Sequence, residues 1–253
     1  MWMSRPRIVI RATRMEASNV NSFPAGGIAV VIGASGGIGS AIADALESGG
    51  HFAEVVRFSR SGTPALDITS EPGIAQAAAA VAARGGQLRL VFDATGFLHD
   101  DDFQPEKSWR EIDPDHMQKS FAVNAIGPAL LMKHFLPLLA ADGRAVFATL
   151  SAKVGSIGDN ELGGWYAYRA AKAALNQLVK TASVELKRRR PQAICVALHP
   201  GTVATALTGP FAKTGLDVQT PDVAARQLLQ TIDNLRPGDS GGFLDRFGQA
   251  IPW

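Results

Sequence analysis

Ile28-Ala29-Val30-Val31-Ile32-Gly33-Ala34-Ser35-Gly36-Gly37-Ile38-Gly39 is the stretch that decides the fold. Its first five residues are apolar and mostly β-branched, which predicts a strand buried on both faces, as in a parallel sheet. The strand stops at a glycine-rich turn, and Ser40–Leu46 then reads as a helix. Strand, turn and helix start together make an anion site. Glycines let the backbone approach a pyrophosphate, and the free N–H groups of a helix start favour negative charge. The plain alternative is a tight βα turn with no ligand.

Outward from this unit, strand and helix patterns alternate. Ala53–Phe58, Leu88–Ala94, Ala145–Leu150, Ala193–Leu198 and a short Gly241–Phe247 read as strands. Glu71–Ala83, capped by Thr69 or Ser70, reads as a helix, and so do Asp115–Ala141, bent near Gly127-Pro128, Tyr166–Lys187 and Pro221–Leu235. Such alternation predicts an α/β fold: a single doubly wound Rossmann-type domain, its parallel sheet flanked by helices on both faces. Residues 26–253 form this NAD(P)-binding domain, and residues 1–25 are a basic extension. The irregular stretch Thr202–Thr220 is the candidate mobile substrate loop.

The chain has 253 residues, 46% hydrophobic and 19% charged, a globular composition that excludes a disordered chain. The formal charge is +2, but Arg5, Arg7, Arg11 and Arg14 lie in the first 14 residues without an acid, so the remainder is −2. The run Lys187-Arg188-Arg189-Arg190 precedes Pro191 and complements a helix C-terminus. No nucleic-acid module pattern accompanies either basic run, so no nucleic-acid partner is expected. The tail lacks the apolar region of a secretory signal. The single cysteine, Cys195, excludes an intrachain disulfide and suits a reducing compartment, with a cytoplasmic location expected. No apolar run reaches the ~18 residues of a membrane span; the longest, Ala125–Leu139, is broken by Lys133 and His134, and no membrane partner is expected. His99 with Asp100, Asp101 and Asp102 reads as a solvated loop, His199 as a structural strand-end residue, and no metal is expected.

Two further patterns carry chemistry. About twenty residues beyond the glycine turn, where NAD-binding folds place an acid, stand Ser59 and Arg60. A guanidinium there attracts a 2′-phosphate, which favours NADP, with NAD the alternative. Tyr168 and Lys172 are four residues apart and share a helix face. A nearby ammonium favours the phenolate, so the phenol becomes a stronger acid, as carbonyl reduction requires.

With these motifs assembled, the chain resembles the short-chain dehydrogenase/reductase family over Ile28–Trp253. The resemblance rests on GASGGIG at 33–39, Leu66-Asp67-Ile68-Thr69, Asp93-Ala94-Thr95-Gly96, Val123-Asn124-Ala125, Tyr168-x-x-x-Lys172 and Pro200-Gly201-Thr202. Gly163-Gly164-Trp165 before the tyrosine and the C-terminal end look like the branch of C-factor-like and sniffer-like carbonyl reductases. The resemblance implies that Gly33, Gly37 and Gly39 hold the cofactor pyrophosphate, with Ser35 and Ile38 beside them. It places Asp67 and Ile68 at the adenine, and Ala94, Thr95 and Gly96 along the cofactor. Pro200, Gly201, Thr202 and Val203 lie near the nicotinamide, with Thr205 reaching its amide. Tyr168 is the implied proton donor and Lys172 its partner on the nicotinamide ribose. Asn124 shapes the active-site helix and holds a relaying water. A homodimer or homotetramer through the two long helices is implied as well.

Three departures from the family pattern stand out. Ile32 replaces a threonine, and Asp93-Ala94-Thr95-Gly96 replaces Asn-Asn-Ala-Gly. The slot of the catalytic serine, counted back from Gly155, is Ala152; Ser151 is favoured as the carbonyl's hydrogen-bond donor, with Ser156 the other serine nearby. The expected function is an NADP-dependent oxidoreductase reducing an aldehyde or ketone. The alternative is a nucleotide-binding sensor or signalling protein of the same fold with little turnover.

Overall fold

The apolar run at 28–32 forms β1 (Ile28–Ile32), every residue of it buried. In the computed structural model, which describes residues 20–211 and 217–253, the chain leaves β1 through the glycine turn into α1 (Gly37–Gly49). β2 (Glu54–Phe58), α2 (Glu71–Ala82), β3 (Leu88–Asp93) and α3 (Pro114–Phe121) follow, then a π-helical turn Ala122–Ile126 and α4 (Gly127–Phe135). The second half is β4 (Ala145–Leu150), α5 (Tyr166–Arg189), β5 (Ala193–His199), the short β6 (Thr202–Val203) and β7 (Val218–Gln219), α6 (Pro221–Asn234) and β8 (Phe243–Asp245). Residues 1–19, and 212–216 of the expected substrate loop, lie outside the described residues.

Six strands form one parallel sheet in the order β2-β1-β3-β4-β5-β8, while β6 and β7 pair separately. The doubly wound architecture is therefore as the alternation predicts. One apolar cluster packs α2, α4 and α5 on one face of the sheet, and a second packs α1 and α6 on the other. After β2 the chain crosses back over β1 to place β3 on its other side, so a crevice opens above the C-terminal ends of β1 and β3.

Four expectations change. The domain start at residue 26 leaves out Val20 and Phe23, which are buried in the α1/α6 layer, and Ser22 N–H donates to Asp233 Oδ1 at 2.8 Å. α1 begins earlier than Ser40, because Gly37 and Gly39 already take helical positions. The bend expected at Gly127-Pro128 lies just before it: Gly127 N–H donates to Ala122 O, five residues back, which is the π turn. Proline removes the N–H of residue 128, and the local backbone relaxes into the wider turn. Finally, the helical run Pro114–Leu138 contains an 18-residue window of mean hydropathy 1.3, long and apolar enough to cross a membrane. Counting uninterrupted apolar residues missed it. Leu131, Met132 and Phe135 of this run are packed in the core beside α2 and α5, which accounts for part of its apolarity.

The glycine turn tolerates no side chain at its helix end. A Cβ on Gly39 would lie 2.2 Å from the Gly33 carbonyl oxygen. Gly39→Ala should therefore cost about 3 kcal/mol, read as a lower urea midpoint at unchanged slope; an unchanged midpoint would show that the turn shifts freely.

Candidate active site

The crevice is a cleft of about 460 Å³. One wall is the start of α1, with Gly36, Gly37, Ile38 and Gly39; the floor is Ala94, Thr95 and Gly96 after β3. The far wall is Ser151 after β4, Tyr168 and Lys172 of α5, and Pro200, Gly201, Val203 and Thr205 after β5. α1 starts on Gly36 without a capping side chain and without an acid in its first turn. Its free N–H groups thus face the cleft as an anion site. The residues fit a dinucleotide there, because α1 starts on bare glycine backbone with no capping side chain and no acid to repel a pyrophosphate.

Other expected cofactor residues lie off the cleft wall. Gly33 and Ala34 donate N–H to Phe58 O at 2.9 and 3.0 Å, which ties the turn to β2; Ser35 is exposed. Ser59 and Arg60 follow β2 directly, the first buried and the second exposed. Asp67 accepts from Thr69 N–H and Oγ1 at 2.9 and 2.8 Å. Those bonds, with the charge of Arg60, hold its carboxyl below the usual range. Ile68 is buried where α4 passes, and a Cβ on Gly127 would meet its Cδ1 at 2.7 Å.

α5 presents Tyr168, Lys172 and Asn176 at four-residue intervals, hence on one face. The Lys172 ammonium donates to Leu150 O at 2.8 Å and lies 5.8 Å from the Tyr168 ring centroid. Burial lowers Lys172 to about 8, against an opposing pull from Asp93. Burial raises Tyr168 above its ordinary value. Burial of the phenol therefore acts against the acidifying effect expected of Lys172, whose ammonium bonds to a main-chain carbonyl. Ser151 donates Oγ–H to Asn176 Oδ1 at 2.7 Å. Ser156 is buried and accepts from Asp159 N–H at 3.1 Å, off the cleft. Asn124, fully buried in the π turn, grips the main chain of Phe97 by both amide atoms, Nδ2–H to O at 2.7 Å and N–H to Oδ1 at 3.0 Å.

Sequence reasoning missed how the first turn of α5 is held. Trp165 has φ 53°, after two glycines at positive φ, and its N–H donates to Glu106 O at 2.5 Å. The buried Glu106 carboxylate accepts from Ala167 N–H at 3.2 and 3.3 Å and lies 3.3 Å from His116 Nδ1. No local spacing links residues 61 apart, so no motif signals this cap. Trp165 and Phe211 meet edge to face at 5.5 Å and, with Leu98, give the outer cleft an apolar wall. His99 Nε2 faces Ala206 O at 3.3 Å, bridging to that wall. His199 lines the cleft with its buried Nδ1 unpartnered among the described residues; burial, with Arg246 adding to it, lowers it to about 4. Among the described residues no group of three His, Cys, Asp or Glu side chains is placed to hold a metal.

A family model described as enoyl-(acyl carrier protein) reductase matches residues 33–232. This chain belongs to that family, the short-chain dehydrogenases/reductases, and is an NAD(P)-dependent oxidoreductase. It is 33% identical over 190 residues to 1-hydroxy-2-glutathionyl-2-methyl-3-butene dehydrogenase of Rhodococcus sp. (strain AD45), covering 75% of this chain and 79% of that one. It is 38% identical over 144 residues to the C-signal of Myxococcus xanthus, covering 56% and 82%. The NADPH-bound carbonyl reductase from chicken fatty liver superposes with TM-score 0.78 at 28% identity, covering 92% of this chain and all of that one.

Two outcomes test the geometry. Glu106→Ala should cost about 1–3 kcal/mol by urea unfolding, because it strands the Ala167 N–H and His116; unchanged stability would show that Glu106 is dispensable to α5. His199 binds its proton less readily folded than unfolded, so stability should fall as pH drops from about 6.5 towards about 4. His199→Gln should flatten that loss, and an unaltered acid profile would exclude His199 as its source.

Proposed function

We propose that this protein is an NADPH-dependent reductase of an aldehyde or ketone. The observation that carries the reading is the convergence of Ser151, Tyr168 and Lys172 in a cleft that opens on the bare N-terminus of α1. The NADPH-bound carbonyl reductase that superposes on nearly the whole chain supports it. Bound NADPH supplies the hydride for the carbonyl carbon. The N–H groups at the start of α1 hold the pyrophosphate, and Arg60 draws the 2′-phosphate. Tyr168, kept protonated by burial, donates its phenolic proton to the carbonyl oxygen, and the Lys172 ammonium stabilises the phenolate left behind. Ser151 exchanges its bond to Asn176 for one to the substrate oxygen and so orients it. The apolar wall of Leu98, Trp165 and Phe211 receives the rest of the substrate. We further propose a cytoplasmic protein that forms a homodimer or homotetramer through its long helices; the exposed Ile126 and Val184 on them support that surface.

A second reading is a nucleotide-binding sensor with little turnover. The hydrogen bond that occupies Ser151 Oγ–H favours it. One experiment separates the two: NADPH and NADH thermal shifts, then a carbonyl panel with the better cofactor. Stabilisation by NADPH and its oxidation are expected, with Tyr168→Phe losing turnover at least ~100-fold while its NADPH shift persists. Full activity of Tyr168→Phe would overturn the mechanism. A preference for NADH would overturn the role of Arg60, and tight NADPH binding without turnover of any carbonyl would favour the sensor.

A further inference from the structure

Arg169 stands between Tyr168 and Lys172 in the sequence, but its side chain reaches back to the loop before α5. The guanidinium donates Nη2–H to Gly163 O at 3.1 Å, Nε–H to Gly164 O at 3.0 Å and Nη1–H to Val154 O at 3.2 Å. Its main-chain N–H donates to Trp165 O at 2.9 Å. The carbonyls of three successive residues thus converge on Arg169, and all three residues have positive φ, 64°, 65° and 53°. Glycine adopts that backbone freely, whereas tryptophan is strained there and stays only where its surroundings hold it. Glu106 holds the N–H side of Trp165, and Arg169 holds the carbonyl side. Val154 lies on the turn that follows Ser151, so the guanidinium also ties together the two ends of the loop between β4 and α5.

We propose that Arg169 is the positioning residue of the substrate wall: by binding these carbonyls it keeps Trp165 left-handed, so that the indole stands beside Tyr168 and favours carbonyls that carry a flat apolar group. The Trp165 ring centroid lies 6.3 Å from that of Tyr168 and 5.5 Å from that of Phe211, edge to face in both cases. With Leu98 and Val154 these rings line the cleft around the reacting phenol. A return of Trp165 to negative φ would re-aim its Cβ and swing the indole away from Tyr168. The planar guanidinium suits the task because its N–H groups fan out in a fixed fork and can grip several carbonyls at once. Its role is not that of a charge partner. Among the described residues no carboxylate pairs with it, and Asp159, the acid that acts on its charge, lies 3.3 Å from Lys153. The substrate preference rests on the reductase reading; the placement of Trp165 does not.

The test compares wild type with Arg169→Met, which keeps the length and loses the donors, and with Arg169→Lys, which keeps the charge and loses the fork. The first measurement is kcat/KM for NADPH-dependent reduction of 2-naphthaldehyde divided by that for propanal. A loss of folded enzyme lowers both values alike and cancels in this ratio. Arg169→Met should lower the ratio at least ~10-fold, chiefly through a higher KM for 2-naphthaldehyde, and Arg169→Lys should recover part of it. Trp165→Ala should lower the ratio as well, and adding Arg169→Met to it should change the ratio by no more than ~2-fold. The second measurement needs neither cofactor nor substrate: fluorine NMR of protein labelled with 5-fluorotryptophan. The Trp165 resonance is assigned by its loss in Trp165→Phe, and it should move or broaden in Arg169→Met.

An unchanged Trp165 resonance in Arg169→Met would overturn the proposal, as would an equal loss with both aldehydes or a full further loss in the double variant. If the wild type turns over no carbonyl, the reductase reading fails, while the fluorine spectrum still decides whether Arg169 places Trp165. If Arg169→Met fails to fold, Arg169→Lys carries the test. A smaller change of the same kind is then expected in the ratio and the spectrum, and none would overturn the proposal.

Discussion

At the end of β1 the backbone passes so close to itself that only hydrogen fits between. The Gly33 carbonyl accepts Gly36 N–H at 3.0 Å, and the α-carbon of Gly39 lies directly behind it. On its other side Gly33 abuts the main chain of Ala94, where an added Cβ would come within 3.0 Å. Its N–H meanwhile reaches the last carbonyl of β2. This contact draws the ends of three strands together and aims the first turn of α1 across the crevice. The cleft, its anion-accepting end and the position of Thr205 above it all follow from that approach.

The reacting end is built by a second chain of contacts, carried mostly by the backbone. The π turn sets Asn124 against Phe97, which fixes the start of the segment leading to Glu106. Glu106 then holds both Trp165 and Ala167, and with them the first turn of α5. Tyr168 is the next residue. Its location thus depends on a buried carboxylate and a left-handed tryptophan rather than on a capping side chain within the helix. Strain of that kind persists where surrounding contacts over-determine it, and here those contacts line the cleft.

The core strands were legible to within a residue or two because their signal is local. A fully apolar β-branched run can satisfy its surroundings only when buried on both faces. Glycine spacing at 33–39 and the four-residue step from Tyr168 to Lys172 are likewise local, and they pointed to the cleft directly. Val20 and Phe23 were missed because two apolar residues in a polar stretch have no period. The apolarity of 114–138 was missed because Lys133 and His134 interrupt the run without outweighing it. Ser151 was placed on the cleft, but its partner Asn176 was not foreseen, since the bond joins residues 25 apart that only the packing of α5 against β4 brings together.

The sequence by itself determined the alternation of strands and helices, the helix start that awaits an anion, and the pairing of Tyr168 with Lys172, because periodicity and glycine geometry act within a few residues. The tertiary structure alone decided the protonation preferences. Tyr168 and Asp93 are raised and Lys172 is lowered, because each depends on how much water the fold removes. It also decided which side chains face the cleft and which bond to their surroundings. Asn124 and Asp67 bond to nearby structure, while Trp165 and His199 face the cleft, because burial and hydrogen-bond partners are settled only when distant segments meet.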